Sequence, residues 1–280
     1  MLRIRQKRLI VPIALGLAAA LAAVYWFALR RHEDAALRVG YAIEAPYAFI
    51  DDQGRLTGEA PELAQAAAQR LGLRLHWVLL PFNDLLPALI NRHIDMIAAG
   101  MFITPQRQQQ VLFSHATLRV RSALLVRAGN PLNICAMQDL LKSGKAAVIS
   151  GAVEGARLQA IGVAEDRILA VPDLNTGLYA VHSGLADALA LSLPSLRWAV
   201  NHAGLPGIEV AACAGGGEQA ADHTALAFRR EDGERRKSWN AALDAYIGSD
   251  EHLAMLARLG FMPSDLEDMV APITAARRRP

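Results

Sequence analysis

The chain has 280 residues, enough for one large domain or two ordinary domains with a substantial core. Apolar residues make up 53 % and aromatic residues 6 %, which favours a helix-rich α/β protein over a β-sandwich. The net charge of +2 gives no reason to expect a nucleic-acid partner. No CxxC pair, HExxH motif or Cys/His cluster occurs, so we expect no metal site. In an exported chain Cys135 and Cys213 could form one disulfide, and two free buried thiols are the alternative.

The N-terminal segment predicts export. Four basic residues lie within the first eight positions, and an apolar run from Leu9 to Leu29 follows. As a helix at about 1.5 Å per residue, this run would span about 30 Å, the thickness of a bilayer core. The basic residues before it place the N-terminus in the cytoplasm and the body outside. The alternative is a cleaved signal peptide with its site at Ala20-Leu21-Ala22. Both interpretations export the body, and we favour a retained anchor in the cytoplasmic membrane.

From Leu37 onward, short apolar strands alternate with helical stretches, a rhythm typical of parallel sheets with crossover helices. Strands are predicted at residues 37–41, 73–79, 94–98, 122–126, 146–150, 168–171, 187–191 and 224–228. Helices are predicted at 60–71 and 84–91, from 104 onward, and near 232–247 and 250–259. The predicted organisation is an anchor and linker over 1–36, a first lobe from 37–126 plus 224–280, and a second lobe over 127–223.

Ligands of open α/β sheets bind beyond the carboxyl ends of the strands, so polar residues that follow strands are candidates for a site between the lobes. Glu44 and Tyr47 follow the first strand, where a carboxylate could accept from a cationic ligand and a ring could cover it. The alternative for this pair is a solvated loop acid beside a half-buried tyrosine. Phe82 follows the strand that ends near residue 79, and its alternative role is to staple the next helix.

The segment from Gly100 to Arg107 is the third candidate. Gly100 permits a close backbone approach after its strand, and Phe102 follows. Thr104 is predicted as an N-cap and Pro105 as the first helical residue. Arg107 then falls in the first helical turn, where a positive charge opposes the helix dipole. A guanidinium in that position is suited to gripping a carboxylate, although an exposed helix face is the alternative.

Together these residues predict a site for a small zwitterion. Arg107 takes the carboxylate, Glu44 takes a cationic N–H, and the rings of Tyr47, Phe82 and Phe102 enclose delocalised positive charge. The eight histidines are scattered, and no GxSxG or phosphate-loop pattern occurs. We therefore expect a binding protein with no cofactor rather than an enzyme.

The same segments resemble the family-3 extracytoplasmic solute-binding proteins, the polar amino-acid binding type, from about Leu37 to Met262. The resemblance is carried by LRVGYAIEAPYAF, LTGEAPELAQAAAQRLG, FNDLLPALINRHIDMIAAGMFITPQRQQQVLFS, LLVRAGNP and WNAALDAYIGSDEHLAMLARLGF. Among subgroups, GYAIEAPY, TGEAPE, AAGMFITPQR and FRRED are most similar to the ectoine and hydroxyectoine binders.

The resemblance implies a type II periplasmic-binding fold of two α/β lobes with two hinge crossings. It implies that a monomeric chain delivers a small ligand to an ABC permease. It also implies that Arg107 binds the ligand carboxylate, and that Tyr47, Phe82 and Phe102 cage a cation beside Glu44. The chain departs from the family pattern at two positions, where amino-acid binders usually carry aspartates and this chain has Ala42 and Ser192. A primary ammonium is therefore disfavoured.

In the second lobe, Gly151-Ala152 replaces the usual Gly-Thr turn, and we expect Glu154 and Asn175 to supply part of the missing polarity. Two alternatives stay open. One is a sensory module that signals to a membrane partner. The other is a dehydratase-type enzyme, for which Glu154 is the general acid candidate. We expect Glu154 not to point into the cleft beside a second titratable group.

Overall fold

The structure is a computed structural model that describes residues 36–212 and 221–266. The predicted anchor at 9–29 and Cys213 lie outside these residues. Within the described ranges, no helix is both long and apolar enough to span a membrane. Cys135 is disulfide-bonded, and its predicted pairing with Cys213 stays a prediction.

The predicted alternation of strands and helices is confirmed. The strands are β1 Leu37–Tyr41, β2 Phe49–Ile50, β3 Leu56–Thr57, β4 Leu75–Leu79, β5 Met96–Ile97, β6 Val111–Phe113, β7 Leu118–Val120, β8 Ser122–Arg127, β9 Ala146–Ile149, β10 Ile168–Val171, β11 Ala188–Ser192, β12 Ile208–Val210, β13 Asp222–Thr224 and β14 Ala227–Arg229. The helices are α1 Glu59–Leu71, α2 Leu85–Ile90, α3 Pro105–Gln108, α4 Val153–Ala160, α5 Leu174–His182, α6 Leu193–His202, α7 Gly233–Tyr246 and α8 Asp250–Arg258.

Two five-stranded sheets form the cores of two lobes. The first has the order β4-β1-β5-β14-β6, and the second has the order β10-β9-β11-β8-β12. In the first sheet, β1 and β5 are parallel, and β14 runs antiparallel to its neighbours β5 and β6. In the second sheet, β10, β9 and β11 are parallel, and β8 runs antiparallel to its neighbours β11 and β12. A separate pair, β7 with β13, lies at the two places where the chain passes between the sheets. This is the predicted two-lobed α/β fold.

The second sheet is buried on both faces, which explains its continuous apolar strands. Alternate residues of one strand enter opposite cores. Leu125 and Ile149 pack with α5 and α6, whereas Leu124 and Val148 pack with Leu158 of α4. The site-bearing loops therefore extend from a rigid layered support.

Two features differ from the sequence expectation. The single strand predicted at 224–228 is two strands, because β13 pairs with β7 while β14 joins the first sheet, with a break at Ala225 and Leu226. In addition, the predicted lobe boundary after residue 126 falls inside β8, which pairs with β11 and β12 of the second sheet. The exact division of the chain into lobes stays a prediction.

Candidate functional site

Seven of the eight predicted site residues line one small cavity between the lobes, here called the Arg107 cavity. They are Glu44, Tyr47, Phe82, Gly100, Phe102, Arg107 and Glu154. Ala152, Val153, Leu191 and Ser192 complete its lining. Its volume is about 20 Å³, room for roughly one water molecule. The lobes are therefore in close contact around these side chains.

Arg107 is held by the start of α3, as the sequence predicts. Thr104 caps the helix by accepting from the Arg107 backbone N–H at 3.2 Å, and Pro105 is the first helical residue. The side chain is only 7 % exposed. Its Nη1 donates to the carbonyl of Phe102 at 2.8 Å, within the first lobe, and its Nη2 donates to the carbonyl of Gly151 at 3.0 Å, across the cleft. Burial lowers the pKa of Arg107 to about 10, so the guanidinium stays cationic at neutral pH.

The aromatic residues occupy different positions around this cation. The ring of Phe82 lies under the guanidinium, with its centroid 5.7 Å from the Arg107 Cζ, a distance at which a cation–π attraction operates. Phe102 is buried and supplies both lining and the carbonyl that orients Arg107. Phe82 and Phe102 therefore both act on Arg107, through its guanidinium face and through its Nη1.

Tyr47 is buried behind the cavity rather than half-exposed. Its ring contacts Phe261 edge-on, with centroids 5.6 Å apart, and it packs on the backbone of Gly100. A Cβ at Gly100 would lie 2.5 Å from the Tyr47 Cγ, and the φ of +58° there suits glycine. Burial raises the pKa of Tyr47, and the Ser192 side chain acts against that rise, although the Tyr47 hydroxyl makes no hydrogen bond of ordinary geometry within the described residues. It is a buried donor that a ligand or water atom could satisfy.

Glu44 forms a second contact between the lobes. Its Oε1 accepts from the Ser195 hydroxyl of α6 at 2.7 Å, and Ser195 in turn accepts from Ser192 at 3.1 Å. Burial raises the pKa of Glu44 to about 7, and the nearby charge of Glu154 adds to the rise. A cationic ligand group would favour the ionised carboxylate. Sequence reasoning missed Ser195, because the cap pattern Ser192-x-x-Ser195 indicates only a helix start.

Glu154 points into the cavity, and the expectation that it would not face a second titratable group is wrong. The reason is that α4 begins at Val153, directly beyond β9, so its first turn faces the cleft. Burial raises the pKa of Glu154, whereas Arg157 and Arg107 act against that rise. Glu154 accepts from Ser122 at 2.6 Å.

Arg157 links this carboxylate to the crossing strands. It donates to the Ser122 hydroxyl at 2.8 Å and forms an ion pair with Asp222 of β13 at 2.5 Å. Ser122 and Arg157 were also missed, since neither stands in a motif. Asn175 is the one predicted site residue outside the Arg107 cavity, because it lies on the exposed face of α5 and lines a neighbouring groove.

The arrangement combines one buried cation, two buried carboxylates and aromatic surface at a closing interface between two lobes. Such a site can recognise a ligand that carries a carboxylate and a cationic group, because the carboxylate would replace the Gly151 carbonyl at Arg107 and the cation would bind Glu44. The fold and the cleft define the class as a two-lobed ligand-binding protein.

Comparisons with known proteins agree with this class. The sequence profile of the bacterial extracellular solute-binding proteins, family 3, matches residues 37–258, and the chain belongs to this family. A similar relative is the probable amino-acid ABC transporter periplasmic-binding protein y4tE of Sinorhizobium fredii (strain NBRC 101917 / NGR234). It is 27 % identical over 237 residues, which cover 82 % of this chain and 78 % of the relative.

Two solved structures show the same architecture. The crystal structure of EhuB in complex with hydroxyectoine has a TM-score of 0.76 and 26 % identity, and the match covers 85 % of this chain and 91 % of EhuB. An ancestral arginine-binding protein bound to arginine has a TM-score of 0.73 and 26 % identity, covering 81 % of this chain and 99 % of that one. The predicted resemblance to family 3 is confirmed.

Proposed function

We propose that this chain captures a small zwitterion between its lobes on the outer side of the cytoplasmic membrane and presents it to an ABC permease. The main support for this proposal is that Arg107 and Glu44 line one cavity from the first lobe, and that each forms a hydrogen bond to the second lobe. A ligand carboxylate takes the place of the Gly151 carbonyl at Arg107. A cationic nitrogen binds Glu44 alongside the Ser195 hydroxyl.

An ectoine-like compatible solute or an amino-acid derivative is the ligand class that we propose. The similarity to EhuB, described with hydroxyectoine, supports the first, and the similarity to arginine-binding and amino-acid-binding proteins supports the second. Ala42 and Ser192 offer no carboxylate for a primary ammonium, which leaves Glu44 and Glu154 for the cationic part. Tyr47, Phe82 and Phe102 then surround that part.

The binding cycle follows from the two lobes. The open form binds the ligand through Arg107, whose Phe102 contact lies within its own lobe. Closure then adds Glu154 and the start of α6 from the second lobe. We propose that the protein works as a monomer, and that residues 9–29 either anchor it to the membrane or are removed on export. No nucleic-acid partner, metal or cofactor has a part in this cycle.

A thermal-stability panel tests the proposal. The full chain is melted with ectoine, hydroxyectoine, betaines, polar amino acids and prephenate. A ligand at about a hundredfold its Kd adds about 2.7 kcal/mol to the free energy of unfolding, which raises the Tm readably. We expect a shift with at least one zwitterion and none in Arg107→Ala.

The matched control is Arg55→Ala, which removes an exposed arginine of the same lobe that forms a surface ion pair with Asp51. This variant should retain the wild-type shift. A ligand shift that survives Arg107→Ala would overturn the assigned carboxylate site. An absence of any shift across the panel would contradict the zwitterion class.

Dehydratase chemistry is the second candidate, because Glu154 and Glu44 share one cavity and both have raised pKa values. A buried, protonated carboxyl is the general acid that protonates the ring hydroxyl of a prephenate-like acid, so that the hydroxyl leaves as water while the ring carboxylate leaves as CO2. The test is incubation of the chain with prephenate, followed by its ultraviolet spectrum. Turnover that is lost in Glu154→Gln would favour the enzyme, and an unchanged spectrum alongside a melting shift favours binding alone.

A further inference from the structure

A groove of about 460 Å³ lies beside the Arg107 cavity, between the loop after β1 and the helices α5 and α6. It is called the Phe49–Trp198 groove, and its defining residues are Glu44, Phe49, Asp173, Asn175, Trp198 and His202. The first two belong to the first lobe and the other four to the second. Its size is within the range of small-molecule sites, whereas the Arg107 cavity as it stands is not.

Aromatic rings form one wall of the groove. The Phe49 and Trp198 rings are 4.9 Å apart and inclined by 47°, and Trp198 stacks on His202 with centroids 4.0 Å apart. The His202 ring is fixed in turn, because its Nδ1 lies 2.9 Å from the Trp198 carbonyl. The groove thus offers ring surface that is already ordered before a ligand arrives, which lowers the entropic cost of binding.

Apart from the imidazole of His202, the ionisable side chains that line the groove in the described part of the chain are carboxylates. The described residues that line it include the carboxylates of Glu44 and Asp173 and the amide of Asn175, but no lysine or arginine. Asp173 caps α5 through one oxygen, which accepts from the Thr176 N–H at 2.8 Å. Its other oxygen receives no hydrogen bond from the described part of the chain. Aromatic surface next to an available carboxylate is suited to a cation.

Glu44 connects this groove to the ligand cavity. It lines both, and it also lines a third cavity of about 290 Å³ that includes Phe82 and Asp173. Asp173 likewise lines both larger cavities. A ligand that starts at Arg107 and passes Glu44 would therefore reach Asp173 and Trp198 next.

We infer that the Phe49–Trp198 groove is a second subsite that accepts a cationic arm, so that the ligand is a zwitterion longer than a free amino acid. Its carboxylate binds Arg107, one cationic nitrogen binds Glu44, and a second cationic nitrogen lies between Asp173 and the rings. This inference rests on the proposed function and specifies its ligand class. Arg107 offers one cation to the ligand carboxylate, and Glu44 and Asp173 offer one carboxyl group each to the two cationic nitrogens.

The test compares two lysine derivatives by calorimetry on the full chain. In one, Nζ carries an aminopropyl group, and in the other a propyl group of nearly the same size that lacks the terminal ammonium. We expect the aminopropyl compound to bind about tenfold more tightly, a difference within reach of one well-placed ion pair and ring contact. Free L-lysine serves as the reference that reaches only the first subsite.

Asp173→Asn is the decisive variant, because asparagine caps a helix as well as aspartate does and removes only the charge. It should bring the two derivatives to about equal affinity while free lysine is unaffected. Asp166→Asn, an exposed acid of the same lobe outside the groove, should keep the wild-type preference. Trp198→Leu should weaken both derivatives more than it weakens lysine, whose affinity changes only through the lost closure contact with Phe49.

The outcomes separate the two proposals. Equal affinity of both derivatives in the wild type, or an undiminished preference in Asp173→Asn, would overturn the groove inference. If lysine binding still depends on Arg107, the proposed function stands in that case. If no compound binds the wild type, the groove inference fails as well, and the failure lies in the amino-acid-like ligand class itself.

Discussion

The two walls of the Arg107 cavity are built in different ways. The wall of the first lobe carries large side chains that are fixed by contacts inside that lobe. Arg107 bonds the Phe102 carbonyl, and Tyr47 packs between Gly100 and Phe261. The wall of the second lobe is made of smaller residues and helix starts, with Glu154 as its one charged member among the described lining.

The difference indicates a division of labour in ligand capture. A preformed first wall can select a ligand before closure, since its side chains need no rearrangement. The second wall contributes after closure, through Glu154 and the first turn of α6. Three substitutions, each with a control, test the first wall, the Glu44 carboxylate and the contact across the cleft, and they follow in order of expected effect.

Gly100→Ala should have the largest effect. The added Cβ meets the Tyr47 ring at 2.5 Å, and the φ of +58° strains any other residue. We expect a loss of about 4 kcal/mol in the free energy of unfolding, from backbone strain and overpacking together. Chemical denaturation measures it.

Gly54→Ala is the control for Gly100→Ala. Gly54 has a φ of +75° but no neighbouring atom within 4 Å of an added Cβ. It therefore reports backbone strain alone, about 1 kcal/mol. Equal losses for the two variants would show that the Tyr47 contact does not hold the first wall.

Glu44→Gln should change the pH dependence. The pKa of Glu44 is about 7 in the folded chain against an ordinary 4.5, so the folded state keeps a proton that the unfolded state loses. The stabilisation is complete below pH 4.5 and is lost as pH rises towards about 7. As pH rises through this window, the free energy of unfolding should fall by about 3 kcal/mol less in the variant than in the wild type. Denaturation at a series of pH values measures this.

Glu59→Gln separates stability from binding. Glu59 is buried at the start of α1, and burial raises its pKa to about 7, while a hydrogen bond with Thr117 acts against the rise. Its replacement should also flatten the stability profile. Of these two variants, Glu44→Gln alone should reduce the increase in affinity for a cationic ligand between about pH 6 and pH 8, because Glu44 lines the Arg107 cavity and Glu59 does not. A pH-dependent affinity that persists in Glu44→Gln would contradict its assignment.

Ser195→Ala should have the smallest effect. It removes the hydroxyl that donates to Glu44 across the cleft, at a cost of about 1 kcal/mol in closure and therefore a several-fold rise in Kd. Ser183→Ala, which removes a hydroxyl bonded within α5 to Ala180, should leave Kd unchanged. Titration calorimetry of both variants with one ligand checks this. If Ser195→Ala tightened binding, the contact would be a competitor of the ligand rather than a support for closure.

The sequence allowed the architecture and most of the cavity lining to be predicted, because both depend on local signals. β1 was predicted residue for residue, and the Thr104-Pro105 start of α3 correctly placed Arg107. The break between β13 and β14 was missed, since it depends on two different partner strands that no local pattern identifies.

Contacts across the cleft were the least predictable part. Glu44 with Ser195 joins positions 151 residues apart, and neither residue's neighbours in sequence indicate the other. The orientation of Glu154 depended on where α4 begins, and a shift of one residue would turn a side chain by about 100° around the helix. Asn175 was predicted to line the ligand cavity, whereas helix α5 presents it to the adjoining groove.

Helix α6 contacts the first lobe through nearly consecutive residues. Ser195 donates to Glu44, Arg197 pairs with Asp265 at 3.0 Å, and the Trp198 ring lies 4.9 Å from that of Phe49. Because one short helix carries all three, they cannot separate independently. The lobes should therefore open and close in a single cooperative step. Half-closed forms should be scarce, and a bound ligand should change the lifetime of the closed state.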